Sequence, residues 1–134
     1  MEHPDPAVRE KATADWCAWE DAVLSGETGG ASNPYGDRPT AARLAFVRIC
    51  AHYFSHGAWL EEGVLLHDAG RLAGVPGVLI HGRLDLGGPL QTAWELYRAW
   101  PGAELIVVEN AGHLGTAETR EHVLRALDRF AVNS

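Results

Sequence analysis

Residues 77–90 have the sequence GVLIHGRLDLGGPL, in which an apolar run of strand length is soon followed by an aspartate, Asp85. Downstream come a helical pattern opened by Pro89, a second apolar run at 103–110 and an amphipathic pattern at 116–132. This order predicts a strand, a helix, a strand and a helix. Strands that are apolar on both faces and joined by a helix are typical of a parallel sheet covered by helices. The predicted fold class is therefore α/β.

Two side chains suited to acid-base chemistry follow the predicted strands. Asp85 comes after the first strand, and His113, in the sequence NAGHLG, comes after the second. Because the carboxyl ends of parallel strands meet at one edge of a sheet, we expect these residues to lie close together. A carboxylate bound to one ring nitrogen orients a histidine as a general base. The simpler alternatives are a surface role for His113 and a helix-capping role for Asp85 near Pro89.

A nucleophile for this pair is not evident in the sequence. In the α/β-hydrolase plan the chain order is nucleophile, acid and histidine, and the nucleophile lies on a G-x-S-x-G turn. The 134 residues contain no such motif, because no serine has a glycine at both flanking positions: Ser25, Ser32, Ser55 and Ser134. We therefore expect the nucleophile to lie upstream, in sequence that this chain does not contain.

The region before the first strand is predicted to be helical. Asp5 is suited to cap the first helix, and Gly26 is suited to stop it. The tryptophans of both regions are expected to pack in the core: Trp16, Trp19, Trp94 and Trp100. The expected elements are a helix over 6–24, a loop over 25–39, a helix over 40–57 and one or two short helical turns over 58–74.

The composition excludes several classes of function. A formal net charge of −7 does not provide the basic surface that a nucleic-acid binder needs. The apolar runs are shorter than the roughly 20 residues that span a bilayer, and the N-terminus lacks the layout of a signal peptide, which predicts a cytoplasmic protein without a membrane partner. Cys17 and Cys50 are expected to be free thiols. Neither cysteines nor histidines have metal-ligand spacing, so we expect no metal and no cofactor.

Three stretches carry a resemblance to a known family: WCAWE at 16–20, RICAHYF at 48–54 and VLIHGRLDLGGPLQTAWELYRAWPGAELIVVENAGH at 78–113. In this order and spacing they closely resemble the C-terminal part of the proline iminopeptidases (prolyl aminopeptidases), which are serine hydrolases of the α/β-hydrolase fold. The resemblance implies the C-terminal portion of that fold. Residues 1–72 would be a segment of the helical cap, and residues 73–134 the C-terminal part of the hydrolase core with its parallel sheet.

The resemblance also implies roles for individual side chains. Asp85 corresponds to the acid of the catalytic triad and His113 to its base. Glu20 corresponds to an acidic residue that binds the free amino group of an N-terminal proline. Phe54 corresponds to an aromatic wall of the proline pocket. Without the resemblance, Glu20 would be interpreted as a solvated helix residue.

The sequence departs from the family pattern at several positions. The family has RIENHYF where this chain has RICAHYF, so Cys50 stands in place of a second amine-binding glutamate. Leu84 replaces an aromatic residue, Gly88 a cysteine and Leu114 a serine. Because a hydrogen bond to a charged group contributes about 1.5 to 3 kcal/mol, the loss of one carboxylate predicts weaker amine recognition. A buried structural thiol is the simplest role for Cys50.

Three functional hypotheses follow. The first is part of a proline iminopeptidase that acts on peptides with an N-terminal proline and whose missing N-terminal half carries the nucleophile. The second is part of an α/β-hydrolase acting on another amide or an ester. The third is a non-catalytic remnant that self-associates through the open edge of its sheet.

Overall fold

The computed structural model describes residues 1–28 and 33–132. The chain divides into two compact units, Met1–Glu62 and Gly63–Ser134. The first unit is helical, and the second combines two strands with helices. The assignment of residues 1–72 to a cap and of residues 73–134 to a hydrolase core concerns the complete hydrolase fold and stays a prediction.

In its described residues the first unit has two α-helices, followed by a 3-10 turn at Gly57–Trp59. Helix α1 spans Pro6–Thr28 and begins as predicted, because the carboxylate of Asp5 accepts a hydrogen bond from the Ala7 N–H at 2.9 Å. The helix does not stop at Gly26, since one glycine inside a helix costs only about 1 kcal/mol. Helix α2 spans Thr40–Ser55. Residues 25–28 of the predicted loop over 25–39 are thus helical. Residues 29–32 of that loop lie outside the described part of the chain.

The core of this unit is small and contains one buried carboxylate. Cys17, Leu24 and Val47 are almost fully buried between the helices. The side chain of Asp21 accepts hydrogen bonds from the backbone N–H groups of Tyr35 and Gly36, at 2.9 and 2.7 Å. These two bonds hold the turn that leads into α2 against α1.

The second unit has the predicted order of strand, helix, strand and helix. After the short helix α3 (Val64–Asp68) and a helical turn at Ala69–Leu72 come β1 (Val78–Gly82), α4 (Leu90–Ala99), β2 (Glu104–Val108) and α5 (Ala117–Val132). The two strands are parallel, with Val78 opposite Glu104 and Gly82 opposite Val108. The carboxyl ends of both strands therefore lie side by side, as the sequence predicts.

The strands are less buried than their apolar sequences predict. Most residues of β1 and β2 are only partly buried, although α4 and α5 both pack against the sheet. Apolar side chains of α5 are also exposed, among them Leu124 and Leu127. In the described residues the sheet has two strands, and two helices cannot cover both faces and both edges of such a sheet.

The tryptophans do not all lie in the core. Trp16 and Trp100 are partly buried, but Trp19 is 64% exposed and Trp94 is 45% exposed. Core packing was therefore the wrong prediction for Trp19 and Trp94. Among the described residues, no helix has both the length and the apolar character needed to cross a membrane.

Candidate active site

The loops after β1 and β2 are joined by backbone hydrogen bonds. The N–H of Arg83 donates to the carbonyl of Val108 at 3.0 Å, and the N–H of Leu84 donates to the carbonyl of Ala111 at 2.9 Å. Gly82 permits this contact, because a Cβ atom there would lie 2.4 Å from the Ala111 carbonyl oxygen. The close approach sets the spacing of the two loops that carry Asp85 and His113.

The carboxylate of Asp85 is held within its own loop. Its side chain is 10% exposed, and Oδ1 accepts a hydrogen bond from the Gly88 N–H at 2.8 Å. Helix α4 begins after Pro89 with no side-chain cap bond, so Asp85 holds the preceding turn and does not cap the helix. The helix-capping role that the sequence suggested for Asp85 is therefore wrong. Its carboxylate instead holds the turn before α4 and faces the loop after β2.

The imidazole of His113 meets this carboxylate. Its Nδ1 atom lies 3.2 Å from Oδ1 and 3.2 Å from Oδ2 of Asp85. A carboxylate only accepts hydrogen bonds, so Nδ1 carries the proton and Nε2 is the basic nitrogen of the neutral ring. Gly87 allows the approach, since a Cβ there would lie 3.1 Å from Nδ1. The arrangement can therefore present an oriented general base.

A second histidine, which sequence reasoning missed, lies on the other side of Asp85. His81 is in β1, and its Nε2 atom is 2.7 Å from the carbonyl oxygen of Gly88 and 3.8 Å from Oδ2 of Asp85. Its side chain is 20% exposed. The only signal in the sequence is a histidine inside an otherwise apolar strand, close before the aspartate.

An exposed ion pair also connects the two loops. The guanidinium of Arg83 donates to both carboxylate oxygens of Glu109, with Nη2 at 2.7 Å from Oε1 and Nε bonded to Oε2. The hydrogen bond from Arg83 lowers the pKa of Glu109, and Glu109 in turn raises the pKa of Arg83. Because both groups are solvated, this ion pair contributes little to the free energy of unfolding. Its bidentate geometry nevertheless favours one relative position of the two loops.

The remaining predicted site residues lie in the helical unit. The indole Nε1–H of Trp16 donates to Oε1 of Glu20 at 3.0 Å, and the Trp16 ring stacks on Phe54 with centroids 5.8 Å apart. Trp16 and Glu20 are on α1, whereas Phe54 is on α2. Phe54 is 70% exposed despite this stacking. Trp16 thus contacts both Glu20 and Phe54, so these two predicted site residues lie in the same region of the helical unit.

Cys50 belongs to the same region and is a free, partly buried thiol. Burial raises the pKa of Cys50, and the nearby negative charge of Glu20 raises it further. The thiol is therefore neutral near pH 7 and does not act as an anionic substitute for a carboxylate. Within residues 1–28 and 33–132, no three histidine, cysteine, aspartate or glutamate side chains are arranged to hold a metal ion.

Comparison with known proteins identifies relatives of this chain. No protein-family model matches it. A probable proline iminopeptidase of Streptomyces coelicolor is 38% identical over 135 residues, which cover 98% of this chain and 41% of the relative. The proline iminopeptidases of Xanthomonas citri and of Xylella fastidiosa strain Temecula1 are 41% and 43% identical, covering 95% and 81% of this chain and 41% and 35% of the relatives. The chain thus spans about two-fifths of the length of the curated relatives it matches.

Proposed function

This chain belongs to the proline iminopeptidase family, and we propose that it forms the C-terminal part of a serine-type aminopeptidase that releases N-terminal proline from peptides. The relatives imply an α/β-hydrolase fold, and the parallel β1 and β2 with their helices are consistent with part of it. In this proposal residues 1–72 belong to a cap, and residues 73–134 belong to the catalytic core.

The observation that carries the proposal is the contact between Asp85 and His113. The acid follows β1 and the base follows β2, so both lie at the carboxyl edge of the sheet. The two hydrogen-bonding distances of 3.2 Å orient the ring through Nδ1. This is the arrangement by which a triad acid selects the tautomer of its histidine.

The chemistry assigned to His113 is proton transfer in both halves of an acyl transfer. In the first half, Nε2 of His113 would take the proton of the serine hydroxyl as its oxygen attacks the carbonyl carbon, and would then give it to the nitrogen of the leaving peptide amine. In the second half, Nε2 would take a proton from the water molecule that attacks the prolyl ester and would give it to the serine oxygen, which releases proline and restores the serine. Asp85 would stabilise the imidazolium formed between these steps. Because the 134 residues contain no G-x-S-x-G motif, we assign the serine to a segment outside this sequence and expect the isolated chain to be inactive.

Substrate recognition is assigned to the first unit. Glu20 would accept hydrogen bonds from the ammonium of the substrate, and Phe54 would pack against the proline ring. The bond from the Trp16 indole leaves Oε2 of Glu20 and the remaining acceptor capacity of Oε1 for such a ligand. Cys50 would lie beside Glu20 as a neutral thiol.

The protein partner in this proposal is the remaining part of the hydrolase. The strands are only partly buried, and α5 exposes apolar residues. Both observations support the proposal that another part of the hydrolase packs against these surfaces. Self-association of this chain through its sheet edges is the alternative way to cover that surface.

A chimera tests the proposal. The segment of the Streptomyces coelicolor relative that matches this chain is replaced by residues 1–134, and release of proline from a proline arylamide is measured. We expect turnover by the chimera and none by the 134-residue chain. His113→Ala should abolish turnover, whereas His67→Ala, which changes an exposed histidine on α3, should not.

Two outcomes would contradict the proposal. Turnover by the isolated chain that disappears in His113→Ala would show that the nucleophile lies within it. A folded chimera that hydrolyses simple esters but no proline arylamide would favour the second candidate, a hydrolase for another amide or ester. That candidate is favoured by Cys50, because a neutral thiol cannot pair with an ammonium as a carboxylate does.

A further inference from the structure

Two hydrogen bonds hold the backbone of Gly88. Its carbonyl oxygen lies 2.7 Å from Nε2 of His81, and its N–H donates to Oδ1 of Asp85 at 2.8 Å. A carbonyl oxygen only accepts, so Nε2 of His81 carries a proton and donates it. The strand β1 is thus connected to the carboxylate through both polar groups of one glycine.

The hydrogen bond from His81 to Gly88 also explains why the carboxylate of Asp85 pairs with His113 and not with His81. Nε2 of His81 lies 3.8 Å from Oδ2 of Asp85, beyond hydrogen-bonding distance, whereas Nδ1 of His113 lies 3.2 Å from it. Because its Nε2–H is directed to Gly88, His81 does not displace His113 from Asp85.

We propose that His81 is a positioning residue, which holds the 85–88 turn to β1 and thereby keeps the carboxylate of Asp85 directed at His113. The side chain of His81 is suited to this role because it projects from a regular strand and is 20% exposed, so its position is set by packing. Its own nitrogen atoms take no part in proton transfer. Only the catalytic consequence of this inference rests on the proposed function.

The hydrogen-bonding part is tested on the 134-residue chain by amide exchange and by imidazole ¹⁵N chemical shifts. His81→Leu removes the donor, and His81→Gln keeps an N–H group at similar reach. The amide of Gly88 should exchange about fivefold faster in His81→Leu, relative to the amide of Leu84 in the same loop, and at nearly the original rate in His81→Gln. The ¹⁵N shifts should show the proton of neutral His81 on Nε2.

His122→Leu is the matched control, since His122 on α5 has a similar exposure of 24%. It should leave the ratio of the Gly88 and Leu84 exchange rates unchanged. A general loss of stability would accelerate both amides together, so the ratio separates positioning from packing. An unchanged ratio in His81→Leu, or a proton on Nδ1 of His81, would overturn the inference.

The catalytic part is tested in the chimera. His81→Leu should lower kcat about tenfold with little change in KM, and His81→Gln should restore most of the rate. Equal rates in the two variants would overturn the positioning role. An inactive chimera with His81 intact would count against the proposed function, whereas the exchange ratio would still decide whether His81 holds the turn.

Discussion

Nδ1 of His113 lies at the same distance, 3.2 Å, from both carboxylate oxygens of Asp85. The two residues are 28 positions apart in the chain and meet because β1 and β2 are parallel neighbours. Oδ1 of Asp85 is also held by the Gly88 N–H, so the carboxylate has little freedom to turn away. The side chain of His113 is 45% exposed, so this edge of the sheet is open to solvent.

Asp85→Asn in the chimera should lower kcat for a proline arylamide by roughly three to four orders of magnitude. The amide of asparagine can donate to Nδ1 and would favour the tautomer whose proton is on Nε2, which cannot act as the base. Steady-state kinetics on the purified variant provides the measurement. Asp128→Asn, on the exposed side of α5, is the control and should retain full activity. A kcat for Asp85→Asn within tenfold of the unchanged chimera would refute the role of Asp85.

Two glycines near the site should respond oppositely to replacement by alanine. Gly82→Ala should destabilise the chain by about 1 to 3 kcal/mol, because its Cβ would overlap the backbone of Ala111. Gly88→Ala should stabilise it by about 0.4 to 1 kcal/mol, since its Cβ would lie 3.7 Å from Asp85 Oδ2, an ordinary contact, and the unfolded chain would lose freedom.

Urea unfolding followed by circular dichroism measures both free energies of unfolding. Each variant serves as the control for the other, because the substitution is identical and the two glycines lie in the same segment. Equal shifts of the unfolding midpoint would contradict the close approach of the two loops at Gly82.

The Cys50 thiol should react slowly with iodoacetamide near pH 7, because burial and the charge of Glu20 both raise its pKa. The reactive thiolate forms only as the pH approaches this raised pKa, so the rate should keep rising above pH 9. Glu20→Gln removes the negative charge, lowers the pKa of Cys50 and should increase the rate at a given pH. Mass spectrometry distinguishes Cys50 from the buried Cys17. Glu10→Gln, on an exposed position of α1, should have no effect, and an equal effect of both variants would refute the coupling.

Cys50→Glu in the chimera should raise kcat/KM for an N-terminal proline substrate by roughly tenfold, for about 1.4 kcal/mol. The added carboxylate would supply a second charged contact to the ammonium beside Glu20, provided that contact is kept in the transition state. Glu20→Gln should lower the same kcat/KM by a similar factor or more.

Neither substitution should change the hydrolysis of a simple ester, which has no ammonium group, so the ester is the control substrate. If Cys50→Glu leaves the proline substrate unaffected while Glu20→Gln slows esters and proline substrates equally, this region does not bind the amine. The hypothesis of a different amide or ester substrate would then replace the first.

The isolated chain should self-associate at micromolar concentrations, because both strands have an unpaired edge in the described part of the sheet and α5 exposes apolar side chains. Leu127→Glu should weaken this association, since Leu127 is 58% exposed. Sedimentation velocity over a concentration series gives the measurement. Ala131→Glu adds the same charge to the same helix and is the control. A monodisperse monomer with a sharp thermal transition would disprove the expectation.

Several features of the fold could be predicted because they depend on local sequence. The alternation of apolar runs and amphipathic patterns predicted β1, α4, β2 and α5 in the correct order, and Asp5 predicted the start of α1. The stop at Gly26 was wrong because one exposed glycine carries only a small helix penalty, which does not by itself end a helix. The exposure of Trp19 was not predictable, since the first unit buries only part of each helix surface.

The sequence by itself determined that an acid and a histidine follow two neighbouring parallel strands, because strand direction places both at the same edge of the sheet. Only the tertiary structure decided which atoms meet there. The backbone bonds of Arg83 and Leu84 set the distance between the loops, and the Gly88 peptide sets the rotation of the Asp85 carboxylate. His81 remained undetected in the sequence because a hydrogen bond between a strand side chain and a later carbonyl depends on the path of the intervening loop, and no periodic pattern encodes that path.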